Sequence, residues 1–512
     1  MQELPTQVRQ SAINALRERV SKSNYGKYLK QVVLKKVRSF EEREVSFDFP
    51  VTALVGPNGG GKTTILGAAA MIYKSVMPRR FFAKSGKYDE SMKDWAIEYD
   101  LIDEDLKGRV VQRTASFKAF KWNRKAVERE VLIFGVTRTV PATERKELVK
   151  ALGGTYEAKS EADLPEQVRE EVRKILGKPI EGFSQLAVDE QGRVSFFAGN
   201  TESGDRYSEF HFGAGEASII RIVAEVEAAS DNALILIEEI ENGLHPVATR
   251  RMVEYLIEVA RRKSCQVIFT THSNDALDPL PSDAIWAAYN GEVLQGKLDI
   301  RALRTITGQI DASLAVFVED RFSELMVMTA LRHAKVELDA VKVHSMGGFD
   351  PAVTVNAQHN RDPTATFNSV CLVDGDRRVD VNPDAKVFAL PGDQAPEAHV
   401  FQGVTQVLDQ EAARLAVSMQ LPTDAQDRVK GVVRDLSLTN RDIHLIYSQI
   451  GDALDFTAEE TVQTAFLSIW AQNFPEEVEE LLSGFRDELP YRDPADGKAA
   501  AVTACSEATL PS

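Results

Sequence analysis

Apolar and polar positions alternate through YLKQVVLKKVRSFEEREVSFDFPVTALVG (residues 28–56), which predicts two or three strands running into a glycine-rich loop and a helix from about Lys62. WAIEYDLID and RVVQRTASF read as further strands. From 142 to 177 the spacing is helical, broken at Gly153-Gly154, and predicts a helical insertion reaching to about 185. ALILIEE and CQVIFTTHS are short apolar runs of the kind buried in a parallel sheet. Between them PVATRRMVEYLIEVARR is a helix with Pro246 near its first turn and Val253, Leu256, Ile257 and Ala260 on its inner face. Strand, helix and strand at this spacing make a βαβ unit. The pattern shifts over 280–312 to loop, a short hairpin and a helix. LAVFVED then opens a second α/β segment that runs to about 400, and the remainder is mostly helical, ending in a frayed tail. The expected domains are therefore 1–305, 306–400 and 401–512.

At 512 residues, 43% hydrophobic and 27% charged, the chain has the composition of a soluble multidomain protein. MQELPTQVRQSAINALRERV has no apolar core of a secretory signal, and no apolar run approaches the roughly 20 residues of a membrane span. Cys265, Cys371 and Cys505 lie far apart without metal-site spacing, which fits a reducing cytoplasm. A net charge of −16 argues against whole-surface binding of nucleic acid. It leaves room for a local basic face: eight Lys or Arg fall between Lys107 and Arg129, interleaved with Phe117, Phe120 and Trp122. That stretch reads either as a solvated strand and helix face or as a nucleic-acid contact.

GPNGGGKTT, comprising Gly56, Pro57, Asn58, Gly59, Gly60, Gly61, Lys62, Thr63 and Thr64, fits G-x-x-x-x-G-K-[ST] between an apolar strand and a helix. Such a loop closes backbone N–H groups around phosphates at a helix N-terminus. Lys62 would reach the β- and γ-phosphates of ATP and Thr63 would face Mg²⁺. LILIEEIENGLHP ends a later strand in Glu238-Glu239, and VIFTTHSND ends another near His272. Glu238 would face the metal, Glu239 would polarise the attacking water, and His272 would approach the γ-phosphate.

These motifs make residues 25–295 resemble an ABC-type ATPase of the chromosome-maintenance and RecF-like branch. FGAGEAS (212–218) stands where that family keeps its signature loop, so the resemblance places Gly213, Gly215 and Glu216 on the nucleotide of a second protomer and implies a homodimer or higher homo-oligomer. The family's signature serine is Gly213 here and its Walker B aspartate is Glu238, so ATP binding with slow or partner-dependent hydrolysis is expected. The family's Q-loop glutamine has no assigned position, since Gln185 is on the wrong side of the insertion.

In the second segment, one strand ends at Glu319, another at Gly347-Gly348, and SVCLVDGDRR ends in Asp374-Gly375-Asp376. Asp-Gly alone would suit a tight hairpin turn. In an open parallel sheet, however, strand ends share one edge, which would bring these carboxylates together. The order Glu, Gly-Gly, Asp-x-Asp resembles a TOPRIM domain, whose carboxylates bind Mg²⁺ or Mn²⁺. Oxygen-only ligands suit two-metal phosphodiester hydrolysis, and Glu319, Asp374, Asp376 and Glu324 form such a set, with Glu397 as an accessory candidate. The family's glycine and acid after the glutamate are Asp320 and Ser323 here.

An ABC-type ATPase followed by a TOPRIM-like α/β domain and a helical C-terminal region resembles the overcoming-lysogenization-defect (OLD) nuclease family. The resemblance implies an ATP-gated, metal-dependent DNA endonuclease of bacterial anti-phage defence. The alternative is an ATPase sensor or scaffold whose TOPRIM-like domain holds a partner effector without cutting.

Overall fold

The computed structural model describes residues 9–490, apart from 107–109, 153–155, 181, 193, 202, 297–311, 363–364 and 366. The chain divides into two compact units, Met1–Ile300 and Arg301–Ser512. The helix expected after the short hairpin within 280–312, and the frayed tail beyond 490, lie outside the described residues. Among the described residues no helix is long and apolar enough to cross a membrane.

In the first unit, β1 (Lys27–Val37) and β2 (Phe40–Ser46) form a hairpin, and β3 (Val51–Val55) runs into the glycine-rich loop. β4 (Ala96–Asp103), β5 (Val110–Lys118) and β6 (Lys121–Arg124) complete an antiparallel sheet of order β2-β1-β4-β5-β6. β7 (Val131–Phe134) leads to the insertion, which holds β8 (Ser160–Asp163), β9 (Ser184–Ala187), β10 (Ser195–Asn200) and β11 (Arg206–Ser208). The chain then returns through β12 (Leu234–Ile237), β13 (Gln266–Thr270), β14 (Ile285–Tyr289) and β15 (Glu292–Gln295).

The central sheet has the order β15-β14-β3-β13-β12-β7 and is parallel from β14 to β7. All residues of β3, β12 and β13 are buried, because helices cover both faces of such a sheet. Gln266 joins the two main sheets: its side chain accepts from Leu29 N (2.9 Å) and donates to Leu29 O (2.8 Å), imitating one step of a strand ladder.

The insertion is not the helical element that the spacing suggested. Among its described residues only Glu166–Leu176 is an α-helix, with Val168, Val172 and Ile175 buried. The stretch before it is short 3-10 turns and an exposed strand, and β8 to β11 pair as an antiparallel sheet. Pro165 sits directly before the helix and limits the periodicity to those eleven residues.

The second unit is built on β16 (Leu314–Val318), β17 (Val341–Ser345), β18 (Asn368–Val373) and β19 (Val387–Ala389), all parallel, in the order β17-β16-β18-β19. Helices Arg321–His333 and Phe349–Arg361 make the first two crossovers. The Asp-Gly after β18 is therefore no hairpin. Gly375 is needed for room, since a β-carbon there would lie 2.8 Å from the Gly392 carbonyl oxygen. Five helices between Pro396 and Ser483 follow. Val400, Phe401, Val404, Phe466 and Trp470 from these helices share one core with Val316, Val318, Val370 and Leu372 of the sheet.

Candidate functional site

The glycine-rich loop takes its shape from what it cannot hold. A β-carbon at Gly56 would lie 2.2 Å from the carbonyl oxygen of Ala288, and one at Gly61 would lie 2.3 Å from the Phe40 ring. Gly56 and Gly61 also have φ of 147° and 103°, so only glycine lets the chain turn from β3 into helix Lys62–Met71 here. The resulting cavity, about 520 Å³, is lined by Pro57, Asn58, Gly59, Lys62, Thr63 and Thr64 from the loop. Glu238, Glu239 and Thr270 line it from the ends of β12 and β13, with Arg38, Ser39 and Val136.

Lys62 is 8% exposed, and its Nζ donates to the carbonyls of Gly56 (2.8 Å) and Pro57 (3.0 Å). Burial lowers its pKa to about 8, against the pull of Glu239 and Glu241. Thr63 is exposed, whereas the Thr64 hydroxyl is taken by Arg38 Nη1 at 2.7 Å. The structure adds residues that the sequence did not flag. Arg138 donates to the carbonyls of Glu238 and Glu239, both at 2.6 Å, and burial lowers its pKa. The Glu239 N–H donates to Thr270 Oγ1 (2.8 Å), and Glu239 itself sits at φ 46°. A non-glycine residue held in that region costs about 1–3 kcal/mol, a strain commonly found at functional positions. Glu241 accepts from the His272 N–H (2.6 Å) and the Thr271 hydroxyl (2.7 Å), which fixes the β13 exit.

Gly213 precedes helix Ala214–Ala228, in open space. Gly215 lies against the loop after β12, where a β-carbon would meet the Gly243 carbonyl oxygen at 2.1 Å. Glu216 pairs with Lys178 at 2.6 Å. None of these three lines the cavity formed by the loop of the same chain. His245 caps helix Pro246–Lys263 by accepting from the Val247 N–H at 3.3 Å.

In the second unit, β16 and β18 are neighbours at the point where the strand order reverses, the usual ligand edge of an open α/β sheet. Glu319 follows β16 and Asp374 follows β18, and the Asp374 N–H donates to Glu319 Oε1 at 2.9 Å. The Gly347-Gly348 pair, at φ 78° and 145°, turns the chain so that the Gly348 N–H reaches the Glu319 carbonyl at 2.8 Å. Burial, then repulsion from Glu319 and Asp320, pushes the Asp374 pKa up to about 8. Burial also raises Glu319, and Asp376 and Asp320 add to it.

Asp320 and the candidate ligand Glu324 have other roles. Asp320 caps helix Arg321–His333, accepting from the Ser323 N–H at 2.9 Å. Glu324 is drawn to Arg321 at 2.7 Å, which also binds Glu460 at 2.8 Å. Ser323 donates to Asp374 Oδ1 at 3.0 Å. Glu397 is buried, with Oε1 3.0 Å from His444 Nδ1 and Oε2 without a hydrogen-bond partner. The donor chemistry, all carboxylate oxygen, is that of a hard divalent cation. Among the described residues, however, no group of three or more His, Cys, Asp or Glu is arranged to hold a metal ion.

Residues 142–276, which include Glu238, Glu239 and His272, match the family model described as an AAA ATPase domain. The fold and the nucleotide cavity thus define a chain that carries a P-loop ATPase domain. Among solved structures, the chain is similar to the SMC head domain from Thermotoga maritima (14% identity, 52% of this chain and 98% of that one, TM-score 0.34). It is similar to the Smc head domain bound to the C-terminal domain of ScpA from Pyrococcus furiosus (12% identity, 55% and 99%, TM-score 0.39). It is also similar to the recombination mediator protein RecF with ATP (12% identity, 53% and 98%, TM-score 0.34). No curated protein matches the chain in sequence.

Proposed function

We propose that the protein binds and slowly hydrolyses ATP in its first unit, and that nucleotide-driven association of two or more copies gates a metal-dependent DNA endonuclease in its second. The observation that carries the first half is the single cavity shared by Lys62, Thr63, Glu238 and Glu239. There Thr63 and Glu238 would hold Mg²⁺, which offsets phosphate charge when bound. Glu239 orients and deprotonates the attacking water, and Lys62 leaves the loop carbonyls for the β- and γ-phosphates. The second half rests on Glu319 and Asp374 meeting at the reversal of the sheet, with Asp376 close by. These three would hold Mg²⁺ or Mn²⁺, and the resemblance of the motifs to those of OLD nucleases supports anti-phage defence as the setting.

A second reading has its own support. The Glu319 carboxylate already accepts a backbone N–H, Glu324 is held by Arg321, and among the described residues no three-ligand group is formed. On that reading the second unit binds a partner effector and does not cut. Supercoiled plasmid incubated with full-length protein in Mg²⁺ or Mn²⁺, with and without ATP, separates the two. Endonuclease action predicts nicking that Asp374→Ala and Glu319→Ala abolish. Wild-type nicking no greater than that of these variants, in either metal, overturns it in favour of the scaffold.

A further inference from the structure

β5 and β6 are joined by a two-residue turn: Lys118 pairs with Lys121, leaving Ala119 and Phe120 between them. Both turn residues have positive φ, 49° and 58°. That geometry suits Asn-Gly, and it is opposed by the side chain of alanine and more strongly by that of phenylalanine. The chain therefore keeps a bulky ring where a relaxed turn would have none. Strained backbone of this kind clusters at functional positions.

The ring is not used for packing. Phe120 is 61% exposed, whereas Phe117 is 6% exposed. Trp122 packs on Phe82 and Phe117 with ring centroids 5.6 Å apart in each case. Of the three aromatics interleaved with basic residues here, two form the base of the hairpin and one is presented at its tip.

The surroundings are cationic. Residues 110–125 hold five Lys or Arg and no Asp or Glu, in a chain of net charge −16. Arg124 is committed to the carbonyls of Tyr73 and Val76, both at 2.8 Å. Lys118, Lys121 and Lys125 are exposed, and β6 is the edge strand of its sheet.

We propose that this hairpin tip is a contact for single-stranded nucleic acid, with Phe120 stacking on an unpaired base and Lys118 and Lys121 meeting the flanking phosphates. The proposal deepens the nucleic-acid reading above and rests on it. Duplex backbone would call for the lysines alone; an exposed ring at a rigid tip is useful where bases are unstacked.

Fluorescence anisotropy of full-length protein with short labelled oligo(dT), and with a matched duplex, tests it. Wild type is expected to bind the single strand more tightly. Phe120→Ala should weaken that binding about 5- to 150-fold, the range for losing one aromatic–base stack. Lys118→Ala and Lys121→Ala should each reduce the salt slope by about 0.7. The paired change Ala119→Asn with Phe120→Gly relaxes the turn, so it should raise the melting midpoint while losing as much affinity as Phe120→Ala. If wild type binds neither oligonucleotide, the nucleic-acid reading itself fails. If wild type binds and Phe120→Ala binds equally well, that reading stands and the hairpin assignment is overturned. Co-sedimentation with anionic vesicles that Phe120→Ala abolishes, without an effect on oligo(dT), overturns it in favour of a lipid surface.

Discussion

The two candidate sites stand at the same kind of place and are built in opposite ways. Each lies at the carboxyl ends of parallel strands, but the first is built from backbone, in a form that suits an anion, and the second from carboxylate side chains, the donors of the proposed cation. At the glycine-rich loop, the helix N-terminus and the close packing of Gly56 and Gly61 fix the cradle before any ligand arrives. Its lysine, Lys62, is satisfied meanwhile by two carbonyls of the same loop. At the reversal of the second sheet, burial and the repulsion among Glu319, Asp320, Asp374 and Asp376 outweigh the Ser323 hydroxyl, the Asp374 N–H and Arg377, and raise the pKa of Glu319 and Asp374. A cradle of dipoles can stay assembled when empty; a cluster of carboxylates is strained until protons or a cation relieve it.

The largest test of this contrast is Glu239→Gln. It leaves the dipoles in place and removes the base, so ATP turnover should fall about 100- to 10,000-fold with ATP still bound. Light scattering of that variant should show a larger mass with ATP than without, and an unchanged mass counts against nucleotide-driven association. Lys62→Ala should have a smaller effect, weakening ATP binding about 10- to 150-fold by removing one charged hydrogen-bond donor. Undiminished affinity, read by isothermal calorimetry, would mean that the backbone alone supplies the site.

The smallest effect belongs to the second site. Burial and the neighbouring carboxylates push the Asp374 pKa from its ordinary 3.8 up to about 8. Because the folded value is raised, its contribution to stability is present below about pH 4 and lost as pH rises through about 8. Metal-free protein should therefore melt at lower temperature at pH 8 than at pH 5, and Asp374→Asn should flatten that dependence and raise the pH 8 midpoint by about 2–8 °C. Mg²⁺ should raise the wild-type midpoint at pH 8 and leave Asp374→Asn nearly unmoved. No response of wild type to Mg²⁺ or Mn²⁺ would remove the cation from the picture.

How much the sequence disclosed follows from the same contrast. The phosphate loop is nine consecutive residues between a strand and a helix, so its geometry was legible without knowing any distant contact. Glu319 and Asp374 were legible as strand ends, because apolar runs alternate with helical spacing through that segment. The site's supports were not. Arg38 comes from the β1–β2 turn and Arg138 from a 3-10 turn after β7, and a lone arginine has no local signature. Ser323 looked like a missing acid, while its hydroxyl is bonded to Asp374. β8 was invisible for a simpler reason: every residue in it is exposed, so it shows no alternation to read.

Arg138 has a mechanical meaning beyond its hydrogen bonds. It stands in the turn Val136–Thr139, between the edge strand of the ATPase sheet and the chain that enters the inserted sheet, and it grips the two peptide carbonyls that carry Glu238 and Glu239. One rigid planar group thus works as a linkage rod between the insertion and the end of β12. A force on the insertion that swings this turn would carry the peptides of Glu238 and Glu239 with it.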